Sequence, residues 1–190
     1  MQDSNRTKNI LAQALKDLMQ KEPFNKISIG DICAACGMNR KSFYYHFEDK
    51  YDLVNWIFQK EFIETIQEGE TANAWELFDA ICRYFYREQS FYRNLLQVEG
   101  PNEFSEYFGR MLEPIFFSIF GDIFSAGQYA MSQQEMAFMI VFFSDAFLAT
   151  IERWLREGAK MPPEQYSAMI KKTVIAMARQ TVSEADKRQG

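Results

Sequence analysis

Apolar residues recur at three- to four-residue intervals along most of the chain, which is the spacing that gives an α-helix one buried face. The segment "NILAQALKDLMQ" is an example, since Ile10, Leu11, Leu15 and Leu18 fall on one side of a helix. No segment shows the strict alternation expected of a β-strand. The pattern therefore predicts an all-α protein of about nine helices. These lie near residues 9–20, 29–36, 39–46, 49–66, 73–88, 90–97, 102–126, 133–157 and 163–183.

The segment "DICAACGMNRKSFYYHF", residues 31–47, predicts two short helices joined by a tight turn. Ser28 stands three residues before Asp31, which is the spacing of a capping box that begins a helix. Gly37 suits the left-handed residue that ends this helix, and Asn39 can cap the next one. Two short helices around a glycine-containing turn form a helix-turn-helix, whose second helix lies in the major groove of DNA. The segment thus predicts a DNA-binding motif.

The predicted second helix divides into a buried and an exposed side. Phe43 and Phe47 lie four residues apart and share the face that packs against the neighbouring helices. The remaining side chains are cationic, polar or aromatic, and such groups pair with base edges and phosphates. Lys50, at the start of the fourth helix, is predicted to hold a phosphate. The candidate DNA contacts in this region are Asn39, Arg40, Lys41, Ser42, Tyr44, Tyr45, His46 and Lys50.

Cys33 and Cys36 form a Cys-x-x-Cys pair, which in other contexts marks a metal or redox site. The chain has one other cysteine, Cys82, and a single histidine, His46, at no zinc-binding spacing. No predicted strand precedes the pair, as a thioredoxin-like motif requires. We therefore predict reduced thiols that pack as small apolar residues, with no metal and no cofactor. No phosphate-binding glycine loop or nucleophile-elbow motif is present either, so an enzyme is not predicted.

Charge is distributed unevenly along the chain, whose net charge is −5. Residues 1–50 hold eight Lys or Arg against six Asp or Glu, whereas residues 51–190 hold 13 against 20. This asymmetry suits a small anion-binding unit on an acidic body. No secretory leader is evident at the N-terminus. The most apolar stretches, 115–124 and 136–151, each contain an acid and fall short of the roughly 20 residues of a membrane span, so a cytoplasmic protein without membrane contact is predicted.

The helix predicted over 133–157 is apolar on nearly every side, which requires burial on every side. A second copy across a two-fold axis would cover the face that the protomer leaves open, and the last helix carries a similar stripe. We therefore predict a four-helix homodimer interface, the alternative being that both helices fill one core. The predicted interface residues are Phe138, Val141, Phe142, Asp145, Ala149, Arg153, Tyr166, Ile170, Thr173, Val174 and Met177.

The segment "KISIGDICAACGMNRKSFYYHFEDKYDLVNWIF" resembles the signature of the TetR family of bacterial transcriptional regulators. Phe43 and Met38 stand where the family commonly has Leu and Val. The resemblance implies an all-helical homodimer with a three-helix DNA-binding domain, a connecting helix and a C-terminal dimerisation and effector domain. The matching positions are Ser28, Ile32, Ala35, Gly37, Met38, Tyr44, Phe47, Lys50 and Leu53. The family's DNA contacts fall on Ser28, Arg40, Lys41, Ser42, Tyr44, His46 and Lys50.

The segments "LKDLMQ", "VNWIFQKEF" and "FLATIERWLREGAKMPPEQY" resemble more narrowly the subgroup that includes regulators of dihydroxyacetone-kinase operons. The expected organisation is a DNA-binding domain over 1–50, a connecting helix over 49–66 and an effector and dimerisation domain over 67–190, with a hinge at "QEGETAN".

The expected function is a repressor-type homodimer that binds a near-palindromic operator in double-stranded DNA. A small-molecule effector or a protein co-regulator would act on the C-terminal domain, where the aromatic residues of 73–126 either line a cavity or form the core. The alternative is a helical protein-interaction module without an active DNA reader.

Overall fold

The computed structural model describes residues 2–68, 73–96, 103–126 and 131–189. Within these ranges the regular structure is helical throughout, which confirms the predicted all-α fold. A 3₁₀ turn, Phe24–Lys26, lies between the first two helices. The α-helices are α1 Gln2–Met19, α2 Ile29–Ala35, α3 Arg40–His46, α4 Lys50–Glu68, α5 Ala74–Arg87, α6 Gln89–Leu96, α7 Glu103–Ala126, α8 Gln133–Arg156 and α9 Pro163–Gln189. Of the predicted hinge, residues 69–72 lie outside the described residues.

Helix α1 begins at Gln2, seven residues before the Asn9 at which the pattern placed its start. These first residues are polar, so the apolar periodicity could not indicate that they are helical. Two of them contact residues at the end of α3. Ser4 Oγ lies 3.5 Å from His46 Nδ1, and the Lys8 ammonium lies 5.2 Å from the centre of the Phe47 ring. Tertiary contacts with α3 therefore accompany the additional turns of α1.

Helices α1 to α3, which we call the head, pack with the start of α4 around a small apolar core. Phe24, Ile32 and Phe43 are fully buried in it. Asp49 caps α4, because its Oδ1 accepts hydrogen bonds from two backbone N–H groups of the first turn at 2.7 and 2.9 Å. Local capping and a few apolar side chains thus fix the direction in which α4 leaves the head.

Helices α5 to α9, which we call the body, enclose a core dominated by aromatic rings. Phe58 on α4 reaches into it, and its ring centroid lies 5.6 Å from Tyr84 on α5, 6.3 Å from Tyr92 on α6 and 5.5 Å from Phe108 on α7. Most aromatic residues of 73–126 are therefore core, as one of the two alternatives held. The buried ones are Phe78, Tyr84, Phe85, Phe91, Tyr92, Phe104, Phe108, Phe116, Phe120 and Phe124.

Helices α7 and α8 run antiparallel, and Ser105 Oγ on α7 donates a hydrogen bond of 2.5 Å to Glu152 on α8. In the described part of the chain, α8 is the helix whose length and composition would also suit a membrane span. Helix α8 has 24 residues and is therefore longer than the apolar stretch 136–151 that was too short for a membrane span. Its Phe143, Phe147 and Ile151 are buried in the body, so one side of α8 is core.

Candidate nucleic-acid interface

The turn between α2 and α3 is built as the sequence predicts. Ser28 and Asp31 form a reciprocal capping box, with the Ser28 N–H donating to Asp31 Oδ2 at 2.8 Å and the Asp31 N–H donating to Ser28 Oγ at 3.2 Å. Gly37 has φ +68°, in the left-handed region that glycine adopts without a steric penalty. Asn39 Oδ1 accepts the Ser42 N–H at 2.8 Å and so begins α3. Local hydrogen bonds therefore set the angle between the two helices.

Helix α3 presents one buried face and one exposed face. Phe43 is 0% exposed and Phe47 is 3% exposed, so both anchor the helix against the head core. Tyr44 and Tyr45 are 57% and 83% exposed, and the cationic side chains beside them are exposed as well. We call the exposed side chains of α3 the reading edge: Arg40, Lys41, Tyr44 and Tyr45. Cations and aromatic hydroxyls on one surface are the groups that contact phosphates and base edges.

The other predicted contacts border this edge with less exposure or with their polar atoms already engaged. Ser42 and His46 are half-buried, and His46 faces Ser4 of α1. Ser28 and Asn39 are exposed, but both side chains act as helix caps, and the Ser28 hydroxyl also donates to Asp31 Oδ2 at 2.6 Å. The predicted residues therefore differ in exposure and in how far their polar atoms are already engaged.

Lys50 has contacts that the sequence did not indicate. Its ammonium donates hydrogen bonds to the backbone carbonyls of Phe24 and Ile27 at 2.8 and 2.9 Å and lies 4.4 Å from the centre of the Phe24 ring. Burial lowers the pKa of Lys50, and the nearby Asp49 carboxylate acts in the opposite direction. Two of the three N–H donors of this ammonium therefore join α4 to the turn before α2.

The cysteine pair at the C-terminal end of α2, Cys33 within the helix and Cys36 as its C-cap, is engaged in packing. Cys33 is buried, and burial raises the pKa of its thiol, which disfavours the reactive thiolate. Cys36 is half-buried, and its Sγ donates to the carbonyls of Ile32 and Cys33 at 3.3 and 3.5 Å. All three cysteines are free thiols. Among the residues that the structure describes, no group of three or more His, Cys, Asp or Glu side chains is placed to hold a metal.

Several large apolar side chains are exposed on α8 and on α9. Phe138 and Phe142 stack with centroids 6.1 Å apart and are 71% and 48% exposed. Asp145, Ala149 and Arg153 continue the same exposed face of α8 toward its C-terminal end. We call these exposed side chains of α8 and α9 together the apolar patch, and its large members are Phe138, Val141, Phe142, Met169 and Met177.

The predicted interface residues on α9 need a correction. Tyr166 and Val174 are 8% and 2% exposed within the single chain, so they belong to the core of the body. The Tyr166 ring stacks on Trp154 at 4.4 Å, and its hydroxyl donates to Thr150. Ile170 is half-buried, whereas Thr173 and Met177 are exposed. The predicted stripe combined residues from a buried face and an exposed face of α9. Periodicity alone does not show which of these faces packs against the protomer's own core.

The head and the body meet at Asn94 of α6. Its Nδ2 donates to the carbonyls of Met19 and Glu22 at 2.7 and 2.9 Å, and its Oδ1 accepts the Phe24 N–H at 2.8 Å. One body side chain thus satisfies three backbone groups at the end of α1 and in the following turn. Sequence reasoning missed this residue because its partners lie 70 to 75 positions away in the chain.

A second polar connection runs from α1 into the body core. Lys16 Nζ lies 2.5 Å from Glu61 on α4 and 3.3 Å from Glu88. The other carboxylate oxygen of Glu61 accepts the Tyr84 hydroxyl at 3.0 Å, and this hydroxyl lies 2.8 Å from that of Tyr92. Burial raises the pKa of both phenols well above the ordinary range. The head is therefore hydrogen-bonded to groups deep within the body.

The short α2, the turn at Gly37 and the partly exposed α3 define a helix-turn-helix regulator. A family model described as "Bacterial regulatory proteins, tetR family" matches residues 10–57, and one described as "Transcriptional regulator C-terminal region" matches residues 73–176. The second match covers more than half of the chain. The chain belongs to the TetR family of transcriptional regulators.

Individual relatives support the narrower resemblance as well. The HTH-type dhaKLM operon transcriptional activator DhaS from Lactococcus lactis subsp. lactis (strain IL1403) is 29% identical over 154 residues, which is 80% of this chain and 81% of that protein. The solved structure of a dihydroxyacetone kinase operon activator DhaS has a TM-score of 0.69 and 25% identity, with 91% of this chain and 96% of that chain covered.

A further solved structure shows the same fold. It is a TetR transcriptional regulator from Streptococcus agalactiae 2603V, with a TM-score of 0.66 and 22% identity, and it covers 93% of this chain and 96% of that chain. This likeness shows the shared fold, whereas the two DhaS proteins show that the similarity to DhaS-type regulators extends along most of the chain.

Proposed function

We propose that the chain acts as a sequence-specific transcriptional regulator that binds a near-palindromic operator as a homodimer. The observation that carries this proposal is the reading edge, which is cationic and aromatic and stands opposite the buried anchors Phe43 and Phe47. In a helix-turn-helix protein such an edge enters the major groove. Ser28, Asn39, Ser42 and His46 would add contacts beside it, and the third N–H donor of Lys50 would supply its predicted phosphate contact.

The sign of regulation is proposed as activation. The name of the L. lactis relative describes an operon activator, and so does the name of the solved structure at 25% identity. This proposal replaces the repressor-type mode that was expected from the sequence. A reporter gene behind the native upstream sequence, with and without the regulator, measures the sign directly, and lower expression with the regulator present would refute activation.

The domain organisation of the proposal assigns residues 1–50 to DNA binding and 67–190 to dimerisation and signal reception, in a cytoplasmic protein without catalytic function. A small molecule or a protein co-regulator that contacts the body would change operator affinity by altering the separation of the two heads. The hydrogen bond of Asn94 to Met19 and that of Lys16 to Glu88 support this coupling, because they connect the body to α1 directly.

DNA binding is tested with labelled upstream DNA at several salt concentrations. Affinity should fall steeply as salt rises, because each phosphate contact releases counterions. Replacement of Arg40 or Lys41 by Ala should cost about 1–3 kcal/mol if that side chain contacts a base. Lys160→Ala is the matched control, since this exposed cation lies in the turn between α8 and α9. If the Arg40 and Lys41 double variant bound like the wild type, the chain would fit the alternative, a helical interaction module.

The dimer is tested through the apolar patch, which supports the proposal because an exposed apolar surface of this kind marks an interaction site. Sedimentation should show a dimer at micromolar concentration, and Phe142→Glu should produce monomers that bind the full operator weakly. Phe117→Glu on α7 is the matched control, because Phe117 is 61% exposed but lies outside the patch. Two recognition helices about 34–36 Å apart would then contact successive major-groove faces. A stable wild-type monomer would refute this part of the proposal.

A further inference from the structure

Gly30, the second residue of α2, lies directly beneath the side chain of Arg40. A Cβ built on Gly30 would stand 2.7 Å from the terminal nitrogen Nη2 of Arg40, 3.3 Å from its Nε and 3.4 Å from its Cζ. Real Cβ atoms essentially never approach another heavy atom within 3.0 Å. The guanidinium of Arg40 therefore occupies space that exists only because residue 30 has no side chain.

Charge also favours this placement of the guanidinium. Asp31 follows Gly30 on the exposed side of α2, and the Arg40 charge contributes to lowering the pKa of the Asp31 carboxyl, after the two hydrogen bonds from Ser28. An arginine side chain free in solvent has many rotamers and loses their entropy when it binds. A guanidinium that already lies over α2 loses less of that entropy on contact with DNA.

We propose that Gly30 is a specificity-determining residue: by leaving the first turn of α2 without a side chain, it places the Arg40 guanidinium to contact a guanine base edge in each half-site. This inference rests on the proposed DNA-binding function. Arginine pairs with the O6 and N7 acceptors of guanine through two parallel N–H donors, and such bidentate geometry tolerates little displacement. Residue 30 thereby controls base preference through Arg40.

The variant Gly30→Ala separates stability from recognition, because it should weaken operator binding without lowering the melting temperature. A methyl group at residue 30 displaces only the end of a flexible side chain, and alanine is the better helix former. Gly30→Ala should therefore leave the melting temperature unchanged or raised. The same variant should bind the preferred operator about tenfold more weakly, as expected when one base contact is lost.

The experiment measures binding of wild type, Gly30→Ala, Arg40→Ala and the double variant to a pool of operators randomised at each half-site position. Gly30→Ala and Arg40→Ala should lose the preference for guanine at the same position, and the double variant should lose no more than Arg40→Ala alone. Gly121→Ala on α7 is the matched control, because its new Cβ would meet nothing within 4 Å. It should bind as the wild type does.

Any of these results would overturn the inference: unchanged base preference in Gly30→Ala, altered preference at different positions in the two single variants, or additive losses in the double variant. Wild-type binding by Arg40→Ala together with weak binding by Lys41→Ala would also overturn it while the proposed function stands. Wild-type binding by both Arg40→Ala and Lys41→Ala would instead remove the DNA-binding assignment of the reading edge itself.

Discussion

Replacement of Asn94 by Ala tests how strongly the body holds the head. The substitution removes the three hydrogen bonds that Asn94 makes with the carbonyls of Met19 and Glu22 and with the Phe24 N–H. A typical intramolecular hydrogen bond contributes about 0.5–1.5 kcal/mol net. Asn94 is half-buried, so water can replace some of the hydrogen bonds that its backbone partners lose. We therefore expect a loss of about 2–3 kcal/mol in the free energy of unfolding.

Asn94→Asp distinguishes hydrogen bonding from loss of side-chain volume. Aspartate keeps the shape and the acceptor for the Phe24 N–H, but it places a carboxylate oxygen against two carbonyl oxygens. At neutral pH the aspartate variant should be at least as unstable as the alanine variant, because a carboxylate has no N–H to donate.

Urea unfolding of the 190-residue chain measures the effect, with all variants at one protomer concentration because the apparent stability of an associating protein depends on concentration. Asn9→Ala is the control, since Asn9 accepts a hydrogen bond from Lys60 at the exposed surface. We expect it to change the free energy of unfolding by less than about 0.5 kcal/mol. A similarly small change in Asn94→Ala would refute the conclusion that Asn94 stabilises the junction between head and body.

Two further predictions follow from the turn and from the buried phenols. Gly37→Ala should lower the free energy of unfolding by about 1–2 kcal/mol, because Gly37 has φ +68°. An added Cβ would meet nothing within 4 Å, so backbone strain is the whole effect. Thermal melts that show no loss would contradict this reasoning. Burial raises the pKa of Tyr84 and Tyr92, so the folded state keeps both protons while the unfolded chain ionises near pH 10. Stability from these phenols should be fully present below about pH 10 and should fall as the pH rises further. Denaturation between pH 8 and 11 measures this slope, which Tyr92→Phe should reduce; an unchanged slope would count against the assignment.

Features that depend on a few neighbouring residues were readable from the sequence. The capping pair of Ser28 and Asp31 and the cap at Asn39 use hydrogen bonds between residues three positions apart, and Gly37 adopts the left-handed conformation at the end of α2. Helical periodicity likewise identified Phe43 as a buried anchor of α3. A short helix has one buried face, and that face packs against the neighbouring helices.

Several contacts of the head and body were decided by tertiary structure alone. The carbonyls that bind Lys50 lie 26 and 23 residues away, and those that bind Asn94 lie more than 70 residues away. The space above Gly30 likewise exists only once α2 and α3 are packed against each other.

The apolar stripe on α9 illustrates the same division. The sequence predicted that this stripe is buried, but it did not determine whether Tyr166 and Val174 meet their own chain or a second one. The physical reason is that periodicity records which residues avoid water, and every apolar partner removes water equally well. Directional partners such as the carbonyls around Asn94 and Lys50 are specified only when distant segments come within hydrogen-bonding distance.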